Sequence, residues 1–223
     1  MAYRFQPNPY GRSLAAAMPV QSLLGQVLGI TALGLCVSAL AVYLFRDSVG
    51  SMVGLIAMLI GFGLLFAING THANAGLSLA LFYAFAFAEG IGLTPIVSFY
   101  LHVAPEAVYN AALTTGLGMF ALGAIVYATG LDLRRFQGIL MLGLLGLIVA
   151  GVVSMFVHFV SPTFYSWATL ALFTGFTLID FARIRAGGDG LTPVQMATHI
   201  YLDVVNIFIA LLQIFGNQSR RND

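Results

Sequence analysis

The chain has 223 residues, of which 60% are hydrophobic and 8% are charged, and its net charge is +1. Because soluble domains carry about 25% charged residues, this composition excludes a soluble globular protein. The charge balance provides no basic surface for nucleic acid, and a single cysteine, Cys36, excludes an internal disulfide. Composition therefore predicts an all-α integral membrane protein surrounded by the lipid bilayer.

Apolar runs long enough to cross a membrane recur along the whole chain. A spanning helix needs about 20 mostly apolar residues. Runs of that length cover residues 20–45, 50–69, 76–100, 107–130, 136–160, 163–185 and 194–216. Short breaks rich in Gly, Pro, Asn and charged residues separate them, as expected of loops. We predict a seven-helix bundle over residues 19–217, between a polar N-terminal tail at 1–18 and a short C-terminal tail at 218–223.

The arginines predict the orientation of this bundle. With seven spans, one side of the membrane collects Arg4, Arg12, Arg134, Arg135, Arg183 and Arg185. The other side has Arg46 and the tail pair at 220–221. Because cytoplasmic loops are enriched in basic residues, we expect a cytoplasmic N-terminus. The tail pair leaves one alternative open, in which the seventh segment re-enters the membrane and the C-terminus is also cytoplasmic.

Three carboxylates, Glu89, Asp180 and Asp203, fall inside apolar runs. An ionisable residue at the centre of a bilayer costs about 2.5–3.5 kcal/mol on insertion scales and indicates function by default. Each also has a structural interpretation. Asp180 could form a salt bridge with Arg183 or Arg185, Asp203 could fix helix register through a hydrogen bond, and Glu89 could bond a neighbouring hydroxyl.

Asp180 and Asp203 are more informative together than separately. A short turn joins their two runs, so the helices are antiparallel neighbours, and at about 1.5 Å per residue both carboxylates lie at similar depth. Two facing carboxylates in a poorly hydrated bundle cannot easily both ionise. We therefore expect a pair that shares a proton at low pH and attracts a cation at higher pH, with calcium as the candidate ion. Asn206 could add an oxygen ligand, and His199 could tune the titration.

Glu89 precedes Pro95 in the third run. Kinked or broken helices line cavities in membrane proteins. If the third helix is interrupted at Pro95, Glu89 would be a second polar group along an ion pathway. A buried structural acid is the alternative. The sequence contains no HExxH, Walker-type or GxSxG motif, so we expect neither an enzyme nor a cofactor other than a bound or permeant calcium ion.

Several of these segments resemble the transmembrane Bax inhibitor motif family. They are FYAFAF at 82–87, GIGLTPIVS at 90–98, LID at 178–180, YLDVVNIFI at 201–209 and LLQIFG at 211–216. The resemblance implies six helices around a central, hydrophobic seventh. It also implies a pH-sensitive calcium leak channel of the bacterial inner membrane, with a di-aspartyl sensor at the positions of Asp180 and Asp203.

The same resemblance implies an alternative function. Bacterial relatives resemble modulators of a membrane-bound AAA protease, and the polar tail at 1–18 could present such a binding segment without any transport. One departure concerns the sensor. Some prokaryotic members have an arginine after the second span that pairs with a sensor aspartate, whereas this chain reads NGTHAN at 69–74. Arg183 or another arginine could substitute for it.

Overall fold

The computed structural model describes residues 20–71, 74–157 and 160–222. Its helices are α1 (Val20–Phe45), α2 (Ser51–Gly70), α3 (Ala75–Val103), α4 (Pro105–Thr129), α5 (Gln137–Val157), α6 (Pro162–Arg185) and α7 (Pro193–Asn222), with a short 3-10 turn at Arg134–Phe136. All seven helices are long and apolar enough to span a membrane. The predicted all-α bundle of seven spans is confirmed, and the described residues contain no strand.

The helix ends lie where the capping signals stand in the sequence. The Asn74 side chain accepts a hydrogen bond from the Leu77 amide (3.1 Å) and begins α3. Ser161 does the same for the Phe164 amide (3.2 Å) before α6. Gly130 ends α4 in the left-handed conformation, with φ of 73°. Side-chain caps satisfy the free amides of a first turn, and glycine adopts positive φ without steric cost, so these breaks are fixed locally.

Two features of the helices differ from the prediction. α3 continues without interruption through Pro95, because the lost hydrogen bond is a single one and the flanking residues pack tightly on α1 and α2. α7 continues to Asn222, past the predicted end at residue 216, since no proline or left-handed glycine stops it. It is one continuous helix, which favours a full span over a re-entrant segment.

α7 occupies the centre of the bundle. It packs against α1, α3, α4 and α6, and it has the largest buried share of the seven spans. The fully buried ring of Tyr201 on α7 lies 5.7 Å from Phe82 and 5.3 Å from Phe85 of α3, both edge-on. α5 is peripheral and packs mainly on α6. The predicted arrangement of six helices around a central seventh is therefore confirmed.

A close approach of α1 and α3 depends on Gly90. A Cβ atom at this position would lie 2.5 Å from the Ser38 carbonyl oxygen and 2.7 Å from the Ala41 Cβ. Because a backbone oxygen cannot move aside as a flexible side chain can, we expect Gly90→Ala to lower the free energy of unfolding by about 1–3 kcal/mol. Thermal unfolding in detergent measures this. Gly63→Ala, whose Cβ meets nothing within 4 Å, is the control, and equal stability of the two variants would contradict the assignment.

Candidate functional site

Asp180 and Asp203 meet at the α6–α7 interface, as the sequence predicts. Both are buried, with 7% and 3% of their surface exposed. The charge of Asp180 acts directly on the Asp203 carboxyl, and the Thr177 hydroxyl lies beside that carboxyl. The structure therefore brings the two predicted acids into one site. Thr177 is an additional member that the sequence reasoning missed, although its position one turn before Asp180 is a usable signal.

Arg183 binds the Asp180 side of this site. Its Nη1 donates to Asp180 Oδ1 at 2.5 Å, and its Nη2 donates to Gln137 Oε1 at 2.9 Å. Its Nε lies 3.7 Å from Asp189 Oδ2 in the α6–α7 loop. Of the two predicted salt-bridge partners of Asp180, the structure selects Arg183, while Arg185 donates to the Gly130 carbonyl. A buried guanidinium thus joins α6 to the start of α5 and to the following loop.

Asp203 has a different environment from its partner. Its Oδ2 atom is buried and has no hydrogen-bond partner among the residues that the structure describes. Leaving a buried carboxylate oxygen without a partner costs several kcal/mol when the group is ionised. Asp203 therefore either holds a proton or, when ionised, needs compensation by a cation or by a movement of the helices. This asymmetry between a clamped Asp180 and an uncompensated Asp203 is the main electrostatic property of the site.

His199 lies on the same side of the site as Arg183. Its Nδ1 is 3.5 Å from Asp180 Oδ1 and 3.3 Å from Arg183 Nη1, and 38% of its side chain is exposed. It therefore lies between the buried pair and the end of the bundle that carries the α4–α5 and α6–α7 loops. The predicted accessory position of His199 agrees with this geometry.

The structure does not bring the other two predicted accessory residues to the pair. Asn206 donates to the Leu202 carbonyl (2.8 Å) and lines a separate cavity. Its position three residues after Asp203 rotates it about 60° around α7. Glu89 lies on the other side of α7, where its Oε1 is 3.1 Å from the position of a Cβ at Gly61 of α2. Its charge acts on Tyr201, which is two residues and about 160° from Asp203.

The donor set argues against a resident calcium ion. Calcium takes about 6–8 oxygen ligands, whereas the site offers two carboxyls and a hydroxyl, one carboxyl being bound to a guanidinium. Within the described ranges, no group of three or more His, Cys, Asp or Glu side chains could hold a metal ion. Asp180 and Asp203 therefore provide too few oxygen ligands for a stable calcium site of their own.

One face of α6 is polar along most of its length. It carries Ser166, Thr169, Thr177 and Asp180, which all lie within about 80° of arc around the helix. The spacing of these residues is visible in the sequence and could have predicted the face. Together with α7 it forms a polar seam, by which we mean the α6–α7 interface from Asp180 to Ser166.

The far end of the polar seam contains a cavity of about 160 Å³ between α5, α6 and α7. Asn206 and Gln213 of α7 line it, and Gln213 Oε1 accepts a hydrogen bond from the Ser166 hydroxyl at 2.7 Å. The Thr169 hydroxyl, which also lines it, is buried without a partner in the described part of the chain. Polar groups therefore line the interface on both sides of a bulky apolar layer at Phe173.

An exposed ion-pair network covers the loop side of the site. Arg134 Nη2 lies 2.7 Å from Asp132 Oδ2, and Arg134 Nη1 lies 2.8 Å from Asp189 Oδ1. Hydrogen bonds from Arg134 lower the pKa of Asp132 to about 2. Because this folded-state pKa lies below the ordinary value near 3.9, the pair stabilises the fold above about pH 4 and loses that contribution only as pH falls toward 2.

We therefore expect Asp132→Asn to leave any pH dependence between pH 5 and 8 unchanged. Asp132 stays ionised throughout that range, so its removal takes away a constant charge and no titrating group. The measurement is the pH profile of thermal stability for the variant and the unmodified protein. A change in the shape of this profile above pH 5 would show that this loop titrates in that range.

Comparison with known proteins places this bundle among membrane proteins of bacteria. The family described as inhibitor of apoptosis-promoting Bax1 matches residues 20–220. A Borreliella burgdorferi protein is 30% identical over 222 residues, which cover 90% of this chain and 93% of its own. An uncharacterized membrane protein of Streptococcus pyogenes serotype M3 is 30% identical over 220 residues, covering 92% and 91%. One from Vibrio cholerae is 26% identical over 208 residues, covering 92% and 93%.

Proposed function

Because the chain belongs to the Bax inhibitor-1-like family of membrane proteins, we propose that it is a pH-sensitive calcium leak channel gated by Asp180 and Asp203. The observation that carries the proposal is the buried Asp203 oxygen without a partner, beside a second carboxyl that a guanidinium already holds. A pair of this kind exchanges protons or cations more readily than a purely structural ion pair, because its ionised form is only half compensated.

At low pH one shared proton removes the repulsion between the two carboxyls and lets them hydrogen-bond across the α6–α7 interface. This state holds the two helices together and closes the path. As pH rises the pair becomes doubly ionised, and Arg183 offsets only one of the two charges. The remaining repulsion separates α6 from α7 and favours entry of a divalent cation. The proposed flux therefore increases with pH.

The polar seam supports a route for the ion beyond the pair. Hydroxyl and amide oxygens lie on both sides of the interface's midpoint: Thr177 beside Asp203, and Thr169, Asn206 and Gln213 around the cavity. Hard oxygen ligands of this type suit calcium. The apolar layer at Phe173 separates the two polar stretches, so opening requires a relative movement of α6 and α7 at this level. The route runs through the described bundle without using Glu89.

We expect Gln213→Leu to reduce calcium flux several-fold without moving the pH at which flux is half-maximal. The substitution removes an oxygen from the route but leaves the titrating pair intact. Thr174→Val is a matched control, because its hydroxyl bonds the Leu170 carbonyl of its own helix and does not line the cavity. The proposed route is wrong if the two variants conduct equally, or if Gln213→Leu shifts the pH profile.

The proposal itself is tested by reconstituting the purified protein into liposomes that contain a calcium indicator. We expect calcium entry that rises between pH 5 and 8 and is absent from protein-free liposomes. Absence of flux at every pH would contradict a channel and would favour the non-transporting regulator. The two functions separate further in a variant lacking residues 1–16, a segment outside the described residues. This variant should conduct normally if the tail serves only a protease partner.

A further inference from the structure

A groove opens between α1 and α4 on the lipid-facing side of the bundle. Both helices pack against α7 but have little or no direct contact with each other, so α7 forms the floor. Two cavities of about 500 and 410 Å³ make up the groove. They join at Leu35, Gly116 and Val204, which line both. The walls are almost entirely apolar and include the exposed Phe120 of α4. The groove therefore faces hydrocarbon rather than water.

One end of the groove carries a polar group aimed inward. The Tyr127 hydroxyl is buried there and has no hydrogen-bond partner within the described residues. Buried tyrosine hydroxyls normally have a partner, so this one indicates a ligand with an acceptor atom. The cavity at this end runs from Tyr127 to Gly116, about 17 Å along α4, and the second cavity continues to Val108.

A guanidinium stands at the Tyr127 end of the groove. Arg185 donates through Nη2 to the Gly130 carbonyl (2.7 Å), three residues beyond Tyr127, and its charge acts on the Tyr127 hydroxyl. Among the described residues it forms no salt bridge, in contrast to Arg134 and Arg183, although its charge also acts on the nearby Asp132. Four of its five N–H donors therefore remain for an anion. Positive charge and a hydroxyl thus meet where the apolar groove reaches the loops.

We propose that the α1–α4 groove binds one acyl chain of an anionic phospholipid, with its phosphate held by Arg185 and Tyr127. The cavity at the Tyr127 end fits this occupant, because its length of about 17 Å is close to half of a hydrocarbon core of about 30 Å. Basic pockets between membrane helices are typical binding sites for anionic headgroups. The lipid belongs to the leaflet on the side of the 130–136 and 186–192 loops. This inference does not depend on calcium conduction.

The Thr115 hydroxyl, which lines the second cavity just beyond the first, provides an internal check. It is 3% exposed and has no partner in the described part of the chain. An acyl chain has no acceptor to offer at this depth, so Thr115→Val should not weaken lipid binding. Loss of binding in this variant would show that the occupant has a second polar group and would overturn the assignment of a phospholipid chain.

Native mass spectrometry of the purified protein with phosphatidylglycerol and phosphatidylcholine of identical acyl chains tests the proposal. We expect one phosphatidylglycerol to be retained at collision energies that remove phosphatidylcholine. Gly116→Phe should lose this retention, because a Cβ at residue 116 points into open space where the two cavities join. Gly118→Phe, also in open space but outside the groove, should keep it. Melting temperatures of both variants confirm that they fold.

The headgroup contact is tested separately. Arg185→Gln should abolish the preference for phosphatidylglycerol over phosphatidylcholine, whereas Arg135→Gln, whose guanidinium lies over the Phe136 ring, should retain it. A diazirine on the acyl chain of phosphatidylglycerol should crosslink to α1 and α4. Equal retention of the two lipids by the unmodified protein, full retention by Gly116→Phe, or crosslinking confined to α2 and α5 would each overturn the proposal.

Discussion

Asp203→Asn is expected to remove the pH dependence of calcium flux between pH 5 and 8. An asparagine cannot ionise, so the repulsion that separates α6 from α7 at high pH no longer develops. Asp180 then keeps its ion pair with Arg183. We predict that flux at pH 8 falls at least about tenfold, which corresponds to 1.4 kcal/mol in the opening equilibrium.

The size and shape of asparagine make the experiment specific. The variant retains the side-chain volume and the neighbouring Thr177 hydroxyl, so the fold should be at least as stable as that of the unmodified protein. Asp203→Glu restores a titrating carboxyl and should recover a pH-dependent flux. If Asp203→Asn conducts with an unchanged pH profile while melting normally, Asp203 is a structural residue and the sensor assignment is wrong.

Arg183→Met is expected to have the second large effect, on stability and on the pH profile together. It leaves Asp180 buried without a counter-ion and removes the link to Gln137. Breaking one partner of a buried pair typically costs about 3–5 kcal/mol. Loss of the positive charge also makes the ionised pair harder to form, so the half-maximal flux should move to higher pH by about one unit or more.

A double variant separates these two effects. Asp180→Leu combined with Arg183→Met removes both charges, and apolar replacement of a buried ion pair is often neutral for stability. We expect melting close to that of the unmodified protein, but a flux that no longer depends on pH. Arg135→Gln, on the exposed loop, should change neither property. A normal pH profile in Arg183→Met would mean that Arg183 serves stability alone.

The sequence predicts the helices well because their physical causes are local. Hydrophobic runs near 20 residues fix the spans, the caps Asn74 and Ser161 fix where two of them begin, and Gly130 fixes where one ends. The meeting of Asp180 and Asp203 is predictable for a related reason. A short turn forces two antiparallel neighbours, so counting residues from the turn gives the depth of each carboxyl.

Residue counting does not give the direction in which a side chain points around a helix. Asn206 and Glu89 lie at suitable depths but face a separate cavity and the α2–α3 contact. Residue counting also cannot predict the contacts of Arg183 with Gln137 and Asp189, because they depend on how α5 and the loop after α6 fold back. That loop turns through Gly187, Gly188 and Gly190 at positive φ, a geometry that sequence distance alone does not specify.

The most direct measurement combines infrared titration of the buried carboxyls with calcium flux in the same liposomes. Subtracting the spectrum of Asp203→Asn assigns the carboxyl band of Asp203. The account predicts that this band is lost over the pH range in which flux rises, and that both shift together in Arg183→Met. It is contradicted if flux rises with pH while the Asp203 carboxyl remains in one protonation state throughout.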